Sequence, residues 1–153
     1  MADGPTTEIP ADASEVVADP DHALVAPGQL LLELLSVPVR DVDRALAFYT
    51  EQLGFTCDVD VRPAPDVRFV QLTPPGSACS ISLTAGGDQA PGSLRALHLV
   101  VADIDAARDA LVAKGVDVQP VVDHGGVKWA YFSDPDGNEW CLQHMPWRVA
   151  NPA

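Results

Sequence analysis

Two stretches of this chain are variants of one pattern, and that repetition constrains the fold more than any other feature. "LLSVPVRDVDRALAFYTEQLGF" and "ALHLVVADIDAARDALVAKGVD" each run from an extended apolar segment through Val-x-Asp-(Val/Ile)-Asp into a helical period and a glycine. Val39, Asp41, Val42, Asp43 and Ala45 match Val101, Asp103, Ile104, Asp105 and Ala107, every pair 62 positions apart. A spacing of that size points to one supersecondary unit used twice.

Each copy carries its own helix signals. Asp41 and Asp103 stand at N-cap positions, where a carboxylate accepts from free amides of the first turn. Val42, Ala45, Leu46, Tyr49 and Leu53 form one buried stripe at helical spacing, as do Ile104, Ala107 and Leu111. Gly54 and Gly115 fall where a left-handed residue ends a helix. Three short strands are expected after each helix: "FTCDVDV", "VRFVQL" and "CSISL" in the first copy, "VDVQPV", "KWAYFS" and "EWCLQH" in the second. The last two of each set are joined by "TPPGSA" and "SDPDGN", with Pro and Gly at turn positions. Both halves therefore read β-α-β-β-β.

Composition bounds the function. The 153 residues suffice for one domain with a core or two small modules sharing one. A net charge of −13 argues against nucleic acid and anionic membranes, which demand clustered Lys and Arg. No apolar run approaches the ~20 residues of a membrane span, and "MADGPTTEIP" has neither the basic nor the apolar region of a secretory signal. Cys57, Cys79 and Cys141 show no close pairing, which suggests reduced thiols in a cytoplasmic setting. Residues 1–28 hold six acids, no Lys or Arg and no periodicity, and read as a disordered acidic tail. The expected organisation is module 29–86, linker 87–93, module 94–147 and a tail 148–153. The motifs of phosphate loops, zinc proteases, serine hydrolases and dinucleotide-binding folds are absent from the sequence.

On "VPVRDVDRALAFYTEQLGF", "LHLVVADIDAARDALVAKGV" and "YFSDPDGNEWCLQ", the chain resembles the vicinal-oxygen-chelate superfamily, the glyoxalase / bleomycin-resistance / extradiol-dioxygenase group. The resemblance spans about Leu30 to His144. It implies an α+β fold in which two tandem βαβββ modules form half-barrel sheets around a cup, helices outside. It also implies a homodimer whose cavities draw on modules of both chains. Such a fold hosts isomerases, lyases, dioxygenases and drug-sequestering proteins, so it does not name an activity.

Strand alternation assigns faces within that frame. Leu97, Leu99, Val101, Trp140 and Leu142 pack on a helix; Ala96, His98, Val100, Glu139, Cys141 and Gln143 face the cup. In the first module Leu34, Ser36, Pro38, Ser80 and Ser82 face it, and Glu33 falls on the helix side at a solvated edge. Metal-dependent relatives place a His or Gln on the first strand of a module and a Glu on the last. Here those positions are Leu34 and Ala96, and Ser80 (or Ser82) and Cys141. Leu and Ala cannot ligate a metal, so no metal or other cofactor is expected at the standard site.

The remaining polar cup residues leave three readings open. His98 orients a ligand or is satisfied by Gln143; or His98, Gln143 and Glu139 hold a divalent metal at a displaced site; or His98 activates Cys141 as a nucleophile in a metal-free enzyme. His124 and Lys128 on the glycine-containing "DHGGVKWAYF" are rim candidates, with His124 a further candidate base. Trp129 either stacks on a flat ligand or fills core, and Arg68 is either a fork for a carboxylate or phosphate or an ordinary exposed strand arginine. Trp147 and Arg148 are expected to cap the barrel or a dimer edge. The leading expectation is a small organic ligand, aromatic or antibiotic-like; the alternative is a glyoxalase-type lyase, isomerase or dioxygenase.

Overall fold

A computed structural model describes residues 24–150. The acidic tail assigned to 1–28 therefore lies mostly outside the described residues. The first module comprises β1 (Leu34–Pro38), α1 (Val42–Ala47), β2 (Thr56–Ala64), β3 (Val67–Thr73) and β4 (Ser80–Thr84). The second comprises β5 (Leu97–Val100), α2 (Ile104–Ala113), β6 (Val122–His124), β7 (Val127–Ser133) and β8 (Glu139–His144). Each forms a four-stranded sheet, in the orders β1-β4-β3-β2 and β5-β8-β7-β6. The first strand of each module runs parallel to its last, and all other pairs are antiparallel. This is the architecture that the repeat implies.

The caps form as their chemistry requires. Asp41 accepts from the Arg44 amide at 3.1 Å and Asp103 from the Ala106 amide at 3.0 Å. Gly54 and Gly115 end their helices at φ 76° and 84°. The first helical stripe differs from expectation: after α1 the chain widens into a π-helical turn, Phe48–Gln52. The extra residue in that turn rotates Phe48 inward beside Tyr49, so both rings are buried. The segment "VDVQPV" is not a strand; the edge strand forms later, at β6. Pro120 has no amide to donate, and only the Gln119 amide reaches the neighbouring strand, at the Tyr131 carbonyl, 2.8 Å. Val116 and Val118 are buried all the same.

One core serves both modules. Val37, Val70, Leu72, Ile81 and Leu83 from the first sheet join Ala130, Phe132, Trp140 and Leu142 from the second, with Ala45, Phe48, Tyr49 and Ile104 from the helices. Tyr49 and Phe55 both lie edge-on to Trp140, at ring distances of 5.7 and 6.0 Å. A sheet has two faces. Both sheets contribute their helix-packed face to this common core, so their other faces lie outside it.

The turn "SDPDGN" locks the modules together. Asp134 Oδ2 accepts from Tyr49 Oη at 2.7 Å and Asn138 Nδ2 at 2.8 Å, and Oδ1 accepts from the amides of Asp136 and Asn138, both at 2.9 Å. Trp140 Nε1 donates to Tyr49 Oη at 3.0 Å, and Asn138 Nδ2 also reaches the Pro38 carbonyl at the end of β1, 2.9 Å. Burial, and then the charge of Asp134, hold the Tyr49 phenol far above its ordinary pKa. Gly92 passes against the same turn so closely that a Cβ there would collide with the Asp136 carbonyl oxygen. Among the described residues no helix is long and apolar enough to cross a membrane.

Candidate functional site

The faces turned away from that core carry the residues expected to line the cup. On the second, the parallel register sets His98 beside Cys141 and Val100 beside Gln143, and the antiparallel register sets Trp129 opposite Gln143, Tyr131 opposite Cys141 and Ser133 opposite Glu139. Strand partners share a face, so His98, Val100, Cys141, Gln143, Glu139 and Trp129 are together, as alternation expects. Tyr131 belongs with them, and alternation from Trp129 was enough to find it. The hairpin that carries His124 turns on Gly125 and Gly126, both at positive φ (66° and 91°), which a two-residue hairpin loop of this kind requires. His124 lies over Trp129 with ring centroids 5.8 Å apart. Lys128, one residue off that alternation, pairs with Asp123 and His144 instead. Ala96 precedes β5 with φ 56°, so the strand's alternation does not extend to it.

On the first face Leu34 pairs with Ser80, and Ser36 with Ser82, whose hydroxyls are 3.3 Å apart. The register also settles the hairpin alignment: Ser82 beside Ser36 is the counterpart of Cys141 beside His98, and Ser80 that of Glu139. Gln71, opposite Ser82, and Thr73, two residues on, join this face. Glu33 does not stay on the helix side. Its chain is outside the regular strand, and its carboxylate accepts from Gln71 Nε2 at 3.3 Å. A bulge in β2 between Cys57 and Val59 turns Asp58 to the same side, where it accepts from the Thr73 hydroxyl; Thr73 is in turn 2.6 Å from Ser80 Oγ. The bulge hides Asp58 from simple alternation.

Arg68 is not free to grip a ligand. It lies on the opposite face with Val70, bonded through Nε and Nη2 to both oxygens of Asp60 (2.8 Å each) and through Nη1 to Asp43 at 2.7 Å. This pairing holds the Asp60 carboxyl below its usual range.

The chemistry of the second half-cup follows from its bonds. His98 Nδ1 meets Gln143 Oε1 at 2.9 Å. Cys141 Sγ instead points to the Leu142 carbonyl oxygen at 3.2 Å, and burial raises its pKa. A thiol in that state is a poor nucleophile, and its sulfur bonds the Leu142 carbonyl rather than His98. The positions at which relatives hold a metal carry Leu34, Ala96, a Ser and Cys141, a set that does not fit a divalent ion needing several N/O donors. Among the described residues no group of three or more His, Cys, Asp or Glu is arranged to hold a metal.

Comparison with known proteins agrees with this architecture. The family profile described as "Glyoxalase/Bleomycin resistance protein/Dioxygenase superfamily" matches residues 30–142. No curated protein sequence matches significantly. Among solved structures, TnmS3, an antibiotic binding protein from Streptomyces sp. CB03234, is 36% identical, with TM-score 0.71 over 76% of this chain and 97% of its own. A glyoxalase/bleomycin resistance protein from the same organism is 38% identical, with TM-score 0.66 over 73% and 98%. A superfamily member from Sphaerobacter thermophilus DSM 20745 is 30% identical, with TM-score 0.68 over 76% and 98%.

Proposed function

The chain belongs to the Glyoxalase/Bleomycin resistance protein/Dioxygenase superfamily, and on that footing we propose that it binds a small organic molecule, aromatic or antibiotic-like, without a metal, in a cup shared by two copies of the chain. One observation carries the reading: one apolar core joins the helix-packed sides of both sheets, which leaves their two polar faces outside it. Neither can enclose a ligand alone, whereas small-molecule sites bury most of the ligand's surface. β1 and β5 are edge strands, each with one side unpaired, and Val100 and Tyr131 leave 48% and 38% of their surface open. A second copy that brings its β5 edge to this chain's β1 edge joins a first-module half-cup to a second-module one, twice per dimer. Trp129 and Tyr131 supply flat apolar walls, and the His98–Gln143 pair orients polar groups of the ligand. The relative whose description names antibiotic binding supports the ligand class, and three free cysteines support a reducing, cytoplasmic setting.

The test is a thermal-shift screen of aromatic antibiotics in the presence of EDTA, with metal analysis of protein purified without chelator. Binding that survives EDTA, weakens in Trp129→Ala and saturates at two ligands per dimer is the expected result. Stoichiometric Zn, Ni, Mn or Fe that is lost in His98→Ala overturns the metal-independent reading.

A further inference from the structure

The second-module half-cup holds one polar pair in an apolar frame. A row of side chains crosses its sheet: Val122 pairs with Trp129, Trp129 with Gln143 and Gln143 with Val100. The next row runs from Tyr131 through Cys141 to His98. Trp129 is half-buried yet does not pack on the shared core, and Val100, Val122 and Tyr131 are exposed. The Cys141 thiol is turned to the Leu142 carbonyl. His98 and Gln143 are diagonal neighbours on adjacent strands, a separation that long side chains span. They meet at 2.9 Å between His98 Nδ1 and Gln143 Oε1. That contact selects the ring nitrogen that carries the proton. An amide oxygen only accepts, so in the neutral imidazole Nδ1 is the donor and Nε2 is left as an acceptor. The Gln143 amide nitrogen keeps its donors. Among the described residues neither His98 Nε2 nor Gln143 Nε2 has a partner, and His98 is exposed on this face.

We propose that Gln143 fixes His98 as a hydrogen-bond acceptor, and that this half-cup thereby selects flat aromatic ligands that carry a hydroxyl on the ring. The inference rests on the cup being the ligand site. A hydroxyl brings one proton to donate and an oxygen that accepts, so it matches both His98 Nε2 and the Gln143 amide. An ether or carbonyl oxygen only accepts. Once such a ligand has displaced water it leaves Nε2 stranded, and a polar atom without its partner is costly. The hydroxyl belongs on the ring itself, because Trp129 stands directly across from Gln143 and opposed side chains on neighbouring strands lie ~5 Å apart. A ring stacked on the indole therefore holds its edge beside the polar pair. Gln143 is in this respect a positioning residue, since it acts through the tautomer of His98.

The experiment has two readouts. Imidazole nitrogen NMR of isotope-labelled protein reports the tautomer without any ligand, with the His98 signals assigned by their loss in His98→Phe. At about pH 8, above the ordinary imidazole range, native His98 carries its proton on Nδ1, and Gln143→Leu moves it toward Nε2. A native ring protonated on Nε2 overturns the inference. Equilibrium dialysis in EDTA then compares 2-naphthol with 2-methoxynaphthalene, which keeps the oxygen and loses the proton. The native protein holds the naphthol about tenfold more tightly, the scale of one satisfied hydrogen bond. His98→Phe abolishes that preference and Gln143→Leu reduces it severalfold. Neither residue belongs to the core, so both variants keep the fold. Equal binding of the two probes by the native protein overturns the hydroxyl preference while the cup reading stands. A preference that persists in His98→Phe overturns it too, because the hydroxyl then sits elsewhere. Binding of neither probe overturns the cup reading and the hydroxyl preference with it.

Discussion

Replacing Asp134 with alanine tests whether the inter-module turn is as consequential as its bonds imply. The carboxylate accepts four hydrogen bonds, from Tyr49 Oη, Asn138 Nδ2 and the amides of Asp136 and Asn138. Two of those donors keep some provision in the variant: Asn138 Nδ2 retains the Pro38 carbonyl, and the Asp136 amide lies in a half-buried turn that water reaches. The Tyr49 hydroxyl and the Asn138 amide keep none, and both residues are fully buried. Each stranded buried donor costs ~1–3 kcal/mol, so Asp134→Ala is expected to lose about 4 kcal/mol, near the upper end for a single substitution. Urea denaturation at one fixed protein concentration measures it, because the proposed dimer would make stability concentration-dependent. Tyr49→Phe removes one of the two stranded donors in advance. In that background Asp134→Ala should cost about 1–3 kcal/mol less. A loss below about 1 kcal/mol, or strict additivity with Tyr49→Phe, refutes the claim that this network holds the modules together.

Gly92→Ala should destabilise by at least about 2 kcal/mol, since it combines a positive φ (77°) with a collision against the Asp136 carbonyl; Gly87→Ala, which meets open space, should stay within about 0.5 kcal/mol in the same thermal melts. Cys141 should resist iodoacetamide at neutral pH in the folded protein, and burial should make it a source of alkaline lability. Its folded pKa is above its unfolded one, so that contribution to stability is complete below roughly pH 8.5 and is lost as pH rises toward the folded value. Cys141→Ser should flatten that part of the stability–pH curve; rapid alkylation of the native thiol would show that the pKa is not raised.

Much of this architecture was legible because duplication repeats the same signals. Two caps, two terminal glycines and two Pro/Gly turns are each visible in both copies, and a face assigned in one module checks the other. What alternation missed shares a physical cause. Period-two reasoning presumes unbroken pairing, and three features break it: the β2 bulge that turns Asp58 inward, the left-handed Ala96 before β5, and the irregular approach that swings Glu33 to Gln71. The π-helical turn broke the helical period in the same way, by adding a residue that brings Phe48 inside. The bonds of Arg68 and Cys141 were hidden for another reason. Their partners, Asp43 and Asp60 for one and the Leu142 carbonyl for the other, follow from three-dimensional packing and leave no pattern in the chain.

The back-to-back setting of the sheets also alters what a substitution means. In the proposed assembly one chain supplies two different half-sites and never presents both to the same ligand molecule. A defect in one module is therefore shared evenly by both sites of a homodimer. Where two chains with defects in opposite modules assemble together, they generate one site with both defects and one with none. A gene of this design can thus mask two damaging alleles by co-expression, although neither product is functional alone.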